Sequence, residues 1–271
     1  MSNKPLKIAI LDLYAGTENQ GMRCIKAIID DFSKTIQEAT YDVFEVRLSK
    51  HFPGLEYDLY ISTGGPGSPL GDNTNDWEQD YFNWIEQVIQ FNKSHTTTQK
   101  KNVFFICHSF QLACRYFGFA NVNKRKSTSF GVFPIHLNEE GKSEVLFSGL
   151  NDPFYAVDNR EYQVVQPDLI KMTSCGAKLL AIEKERLHVP YERAIMAIRF
   201  NEEMMGTQFH PEADKEGMLV YLHGFEKKEM VIRNYGEEKW QSMIEQLNDP
   251  EKIEKTNSTI LPRFLQLSLQ A

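Results

Sequence analysis

The stretch Val103–Gly118 reads VFFICHSFQLACRYFG and changes period at a single residue. Four apolar, β-prone residues run into Cys107, and beyond it the apolar positions recur at helical spacing. A buried strand thus ends on a cysteine that stands where a helix begins. A thiol in that place feels the positive end of the helix dipole, which favours the nucleophilic thiolate. The same residue also reads as a small apolar side chain closing a core strand, and unpaired cysteines are often buried and inert. The remainder of the chain has to separate the two readings.

On the N-terminal side, strand and helix patterns alternate. KIAILDLY (7–14) is a buried strand, and GMRCIKAIIDDF (21–32) an amphipathic helix with Met22, Ile25, Ile28, Ile29 and Phe32 on one side. YDVFEVRL (41–48) and YDLYIST (57–63) are further strands, the second ending in the loop GGPGSPLGDN (64–73). WEQDYFNWIEQVIQFN (77–92) is a long helix, followed by the polar loop KSHTTTQ (93–99). Such alternation predicts a parallel sheet covered on both faces. From about Ser127 the texture changes to short strand candidates separated by turns: SFGVFPIHL, FYAVD, YQVV, LLAIEK, AIMAIRF and MMGTQF. These predict a mixed or antiparallel extension. The last stretch, from Lys215, reads as helices broken near Asn234-Tyr235-Gly236 and Asp249-Pro250.

Composition narrows the function. The 271 residues are 41% hydrophobic and 25% charged, enough for an ample core, and the formal net charge is -7. That balance argues against nucleic acid or an anionic membrane as partner. The one basic cluster, Lys124-Arg125-Lys126, reads as a solvated loop. Asp12 interrupts the N-terminal apolar run before it could serve as a signal-peptide core, and no stretch reaches the ~20 apolar residues of a membrane span. The four cysteines form no CxxC pair, and the seven histidines show no ligand spacing. A cytoplasmic protein with reduced thiols and no metal or other cofactor is the expectation. DLYAGTENQG (12–21) lacks the GK[ST] of a phosphate loop.

In open parallel sheets, reactive groups gather where strand ends turn into helices. Cys107 lies at such an end, and so does the loop Gly64-Gly65-Pro66-Gly67. A third feature, GTQFHPEAD (206–214), follows a late strand and sets His210 and Glu212 two residues apart around Pro211. A nucleophile, a base and an orienting carboxylate can therefore meet at one sheet edge.

Through FICHSFQ, QFHPE and STGGPGSP, in that family's order along Ile8 to about Asp214, the chain resembles the class I (triad-type) glutamine amidotransferases. The resemblance implies a three-layer, flavodoxin-like α/β fold with a central, mostly parallel sheet flanked by helices. It implies an amidotransferase-like domain over 1–214, with 215–271 a helical extension packed on the same domain. It implies Cys107 as nucleophile, His210 as base and Glu212 as its orienting carboxylate. The backbone amides of Gly65 and His108 would form the oxyanion hole. Gln111 would contact substrate one turn into the elbow helix, and Asn159 and Arg160, within Asp158–Glu161, would grip its α-amino and carboxylate groups. Gly65 reads as a turn glycine at positive φ in either case.

Two departures concern the elbow, where the family's glycines are replaced by Phe105 and Ser109. The third is the helical tail. Its Trp240, Met243, Ile244 and Leu247 fall at helical spacing, read as burial against the same chain or as a dimer or partner surface. Cys24 and Cys114 read as core and Cys175 as a turn residue. His108 after Cys107 is also similar to the Cys-His elbow of the DJ-1/PfpI family, which lacks the late H-P-E. The implied activity is cleavage of the side-chain amide of glutamine, or of a γ-glutamyl amide, through a cysteine thioester. Ammonia would pass to a separate synthase subunit, or the protein would act alone on γ-glutamyl conjugates. The competing reading is a non-catalytic regulatory or binding module that keeps the fold.

Overall fold

Along β1 (Leu6–Asp12), Ile8 and Ile10 enter one apolar cluster and Ala9 and Leu11 another, and all four are fully buried. β4 (Asn102–Ile106) repeats the pattern, with Phe104 and Ile106 on the first side and Val103 and Phe105 on the second. Side chains of a strand alternate between faces, so a run apolar at every position must be covered twice. The computed structural model describes residues 4–71, 77–95, 100–185, 192–224, 228–229, 231–233, 236–267 and 269. The expected break at 234–235 and residues 96–99 of the loop expected at 93–99 lie outside them.

The other strands are β2 (Ala39–Glu45), β3 (Leu59–Ser62), β5 (Asn121–Leu137), β6 (Phe154–Val165), β7 (Lys178–Glu183), β8 (Ile195–Arg199) and β9 (Met204–Thr207). They form one nine-stranded sheet in the order β2-β1-β3-β4-β9-β8-β7-β5-β6. The first five in that order run parallel and the remaining neighbours antiparallel, so the sheet is mixed, its parallel half carrying the elbow. α1 (Gln20–Thr35) covers the Ile8 face, with Ile25, Ile29 and Phe32 buried. α2 (Trp77–Ser94) and α3 (His108–Phe117) supply Tyr81, Trp84 and Phe110 to the opposite face.

Later helices are α4 (Glu139–Lys142), α5 (Leu169–Ser174), α6 (Lys215–His223), α7 (Glu237–Leu247), α8 (Ile253–Asn257) and α9 (Ile260–Leu267). α9 completes the Ile8 face with Ile260, Leu261, Phe264 and Leu265. α6, α7 and α8 place Met218, Leu222, Met243, Leu247 and Ile253 against Phe130, Val132 and Val157 of β5 and β6. Trp240 and Ile244 are partly buried on that cluster, so the stripe read from the tail packs within the chain. No described helix is long and apolar enough to cross a membrane.

Two readings change. FYAVD and YQVV belong to one strand, β6, because the residues between them continue the antiparallel ladder with β5. Lys124-Arg125-Lys126 lies inside β5 rather than in a loop. Strand geometry carries Arg125 to Glu183, 3.3 Å away, and to Gln163.

The fold accommodates Phe105 through its neighbour. Phe105 stands opposite Gly206 on β9, and a Cβ on Gly206 would fall 2.9 Å from Phe105 Cβ, Phe105 O and Phe110 Cδ2. The space that glycine leaves on β9 lets the phenylalanine ring pack edge-on against Phe200, at 5.8 Å between centroids. Gly206→Ala is therefore expected to destabilise the protein by about 1–3 kcal/mol through overpacking, read as a lowered denaturation midpoint at unchanged m-value.

Candidate active site

The elbow is built where β4 passes into α3. Cys107 has φ 50° and ψ −97°, a conformation non-glycine residues adopt only when their surroundings hold them there, at about 1–3 kcal/mol. Two sets of bonds hold it. The Cys107 N–H donates to Thr207 O at 2.8 Å, extending the β4–β9 ladder by one residue. Ser109 Oγ accepts from the Ile106 N–H at 2.8 Å and donates to Ser62 O at 2.7 Å, tying the ends of β4 and β3 together. A serine thus replaces the second elbow glycine by adding a clamp.

The Cys107 side chain is 5% exposed. Its Sγ lies 3.8 Å from Asn159 O and 3.7 Å from Gln208 Nε2. Gln111 is buried, not solvated: its Nε2 donates to Gln208 Oε1 at 3.1 Å and to Tyr162 O at 3.3 Å. The chain from Gln111 reaches the thiol through Gln208, a residue the sequence reading did not single out.

Turn geometry after β9 delivers the histidine. The His210 N–H donates to Val157 O at 2.9 Å, an isolated antiparallel bridge that fixes this backbone on β6. His210 Nδ1 meets Glu212 Oε1 at 2.8 Å. Burial alone would lower the pKa of His210. The charges of Glu212 and Cys107, with hydrogen bonds to both, outweigh it and raise the pKa well above the ordinary value. A Cβ on Gly64 would sit 3.0 Å from His210 Cε1 and 3.6 Å from Cys107 Cβ, so thiol and imidazole converge over this glycine.

Further residues frame the carboxylate. Glu212 is 1% exposed, and its Oε2 has no hydrogen-bond partner among the described residues. Asn257 of α8 donates from Nδ2 to Glu212 O at 2.7 Å, and Thr256 donates to Tyr155 O at 2.6 Å. Residues late in the chain thus brace both β6 and the His-Pro-Glu turn. Gly21 leaves room for the Tyr14 hydroxyl beside Glu212, since a Cβ there would fall 2.2 Å from Tyr14 Oη and 3.1 Å from Glu212 Oε1. Burial, then the charges of Glu212 and Cys107, push the Tyr14 phenol up, so it stays protonated.

The remaining expected residues separate. Gly65 does not have positive φ; what requires glycine there is space, because a Cβ would lie 2.3 Å from Leu13 O. The positive φ in this loop falls on Gly67 (φ 89°) and Gly71 (φ 71°). His108 opens α3, so its N–H is among the donors a helix start leaves without an intrahelical partner. Its ring is 2% exposed, and burial, then Arg47 and Arg115, push its pKa down to about 3. A ring so weakly basic is a poor proton acceptor. Asn159 is exposed at the site. Arg160 turns the other way: its Nε donates to both carboxylate oxygens of Asp158, at 2.8 and 2.9 Å, and its side chain is 1% exposed. Strand alternation along β6 explains this, because Asn159 faces out where Asp158 and Arg160 face in. The guanidinium expected to grip substrate is thus paired with Asp158 inside the sheet.

A cleft of about 390 Å³ opens beside His210, lined by Val157 and Asn159 of β6 and by Met218 and Tyr221 of α6. Among the described residues, no group of three or more metal-ligating side chains is found.

A doubly covered α/β sheet with a cysteine elbow at its carboxyl edge, facing a histidine–glutamate pair, defines a class of cysteine-centred α/β proteins. The family model described as glutamine amidotransferase class-I matches residues 18–220, and the chain belongs to that family. A glutamine amidotransferase from Thermotoga maritima superposes with a TM-score of 0.71 at 14% identity, over 99% of this chain and 100% of that one. A glutamine amidotransferase from Methylobacillus flagellatus gives 0.67 at 15% identity, over 99% and 95%. At those identities the likeness is one of fold. Among curated proteins, the homoserine O-acetyltransferase of Clostridium tetani is 28% identical over 187 residues, 62% of this chain and 57% of that protein. The chain spans about half the length of the curated relatives it matches.

Proposed function

We propose that the protein hydrolyses the side-chain amide of glutamine, or of a γ-glutamyl amide, through a thioester on Cys107. The observation that carries this is the pairing of His210 Nδ1 with Glu212 at 2.8 Å while the same ring and the elbow cysteine converge over Gly64. In this reading His210 takes the thiol proton, Sγ attacks the amide carbonyl, and the carbonyl oxygen becomes an oxyanion. The backbone amides of Gly65 and His108 are assigned to it, each such donor contributing about 3 kcal/mol in well-studied hydrolases. His210 then protonates the leaving nitrogen. Water attacks the thioester, with His210 as base, and releases glutamate. Glutamine gives ammonia, for which a separate synthase subunit is the acceptor; a γ-glutamyl amide gives an amine and needs none.

The test is glutamate release together with mass-spectrometric labelling by a glutamine-like chloroketone, with Cys107→Ala as the blank. Cys107-specific labelling with turnover supports the reading, and unlabelled Cys107 at neutral pH turns it towards the non-catalytic module. A second reading is favoured by the 28% identity to a homoserine O-acetyltransferase. Sγ of Cys107 would then take an acetyl group from an acetyl thioester, whose thiol leaves, and pass it to the hydroxyl of homoserine; Cys107-dependent acetylation of homoserine from an acetyl thioester would establish it.

A further inference from the structure

We infer that the cleft beside His210 is a leaving-group site for γ-glutamyl amides whose nitrogen carries an uncharged, apolar substituent. The inference rests on the hydrolase reading above and assigns its substrate class.

Direction comes from the proton. The departing nitrogen must lie within hydrogen-bond reach of the group that protonates it. In this site that group is the His210 ring, and the same ring lines the cleft. Whatever is bonded to the scissile nitrogen on its far side therefore projects into the cleft.

Size comes next. A water molecule occupies about 30 Å³ of liquid, and ammonia is of the same size. The cleft holds about 390 Å³, so beyond the part beside Asn159 that a glutamyl group would take, the NH₂ of glutamine leaves room for a larger substituent. That volume lies in the range of small-molecule sites, which are typically apolar with a few placed polar groups.

Lining fixes the chemistry. Phe130, Val157, Met218, Val220 and Tyr221 form the apolar part of the cleft, with the Phe130 and Tyr221 rings 5.4 Å apart, and Asn19, Gln20 and Asn159 are its neutral polar part. The charged side chains on its walls, other than His210, are the carboxylates Glu18, Glu212 and Asp214. Asp214 is held by Arg23 at 2.5 Å, and among the described residues lining the cleft there is no lysine or arginine. A carboxylate on the leaving group, as in a γ-glutamyl peptide, would enter a site of its own sign without a countercharge. An alkyl or aryl amine buries apolar surface against the aromatic pair. The chemistry balances as a hydrolysis: the amide C–N bond breaks, the amine leaves with a proton from His210, and water cleaves the resulting thioester to free glutamate.

The test compares glutamate release from glutamine, from γ-glutamyl-(3-methylbutyl)amide and from γ-glutamylglycine, in the wild type, Cys107→Ala and Val220→Asp. Val220 is 57% exposed at the rim, where a carboxylate is compatible with folding. The wild type is expected to favour the alkyl amide over glutamine by at least about tenfold in kcat/KM, the scale of hydrophobic-pocket discrimination. γ-Glutamylglycine is expected to fall well below the alkyl amide. Val220→Asp is expected to reduce the ratio of alkyl amide to glutamine by about fivefold or more. Cys107-dependent turnover with glutamine best, or with the two conjugates equal, overturns the leaving-group assignment and leaves the hydrolase standing. Absence of Cys107-dependent release from all three overturns the hydrolase reading, and this inference falls with it.

Discussion

Turnover is expected to fall to background in Cys107→Ala and by about 10³–10⁴-fold in Glu212→Gln, with little loss of stability in the second. The glutamate has one partner on its functional side, His210 Nδ1 at 2.8 Å, and a second oxygen with no hydrogen-bond partner among the described residues. A carboxylate accepts from Nδ1–H and so keeps Nε2 free to take the thiol proton. An amide rotated to donate selects the opposite tautomer, with its proton on Nε2, and disables the base. The substitution is close to isosteric and removes a buried charge, so the fold should survive; thermal melting checks this beside the steady-state rates.

The pH dependence separates this loss from mere misfolding. Burial opposes the imidazolium, and the Glu212 charge leads the influences that override it and raise the His210 pKa. A group with a raised folded pKa stabilises the native state fully below its unfolded value, near 6.5, and that contribution is lost as pH rises through the folded value. The wild type is therefore expected to lose stability between about pH 6.5 and the alkaline range. Glu212→Gln should show a flatter profile there, because its His210 titrates closer to the unfolded value. Alkylation of Cys107 by iodoacetamide, followed against pH, should likewise lose its acid-side reactivity in the variant. Equal profiles for the two proteins would mean that Glu212 does not govern the imidazole.

The parallel half of the fold was legible because β1, β3 and β4 are apolar at nearly every position, which only a doubly covered strand requires. Cys107, His210 and Glu212 could be placed because period changes and a proline mark the strand ends that carry them. What escaped is what depends on the partner strand. Phe105 stands in the sequence only as a departure from an elbow glycine, because its accommodation lies at Gly206, about a hundred positions later in the chain and adjacent only through β4–β9 pairing. Gln208 and Asn257 carry no local signature: one is a polar residue in a strand ending, the other a polar residue in a short helix. Their roles exist only once the sheet and tail are assembled. The surroundings of Arg160 escape for a related reason. A polar run Asp-Asn-Arg-Glu reads as loop, yet its pairing with β5 makes it strand, and strand alternation then buries every second residue.

Arg160→Met is expected to cost about 3–5 kcal/mol, the scale of removing one partner from a buried ion pair, and to lower the melting temperature by about 10 °C. The guanidinium is 1% exposed and Asp158 2%, and they share two bonds near 2.8 Å. Ser129 Oγ donates to the same carboxylate at 2.8 Å, and Glu183 lies 3.5 Å from the guanidinium. Truncating the arginine leaves Asp158 charged, buried and short of its main countercharge, whereas Glu183 keeps Arg125 at 3.3 Å. Adding Asp158→Asn should recover most of the loss, because the pair's stabilisation is then absent together with its desolvation cost. The double variant is the decisive comparison. An arginine that gripped substrate would raise KM in the single variant and stay just as impaired in the double, with melting temperatures little changed. A structural pair predicts the reverse: melting temperature falls and recovers, and KM follows only as far as β6 moves Asn159 beside Cys107.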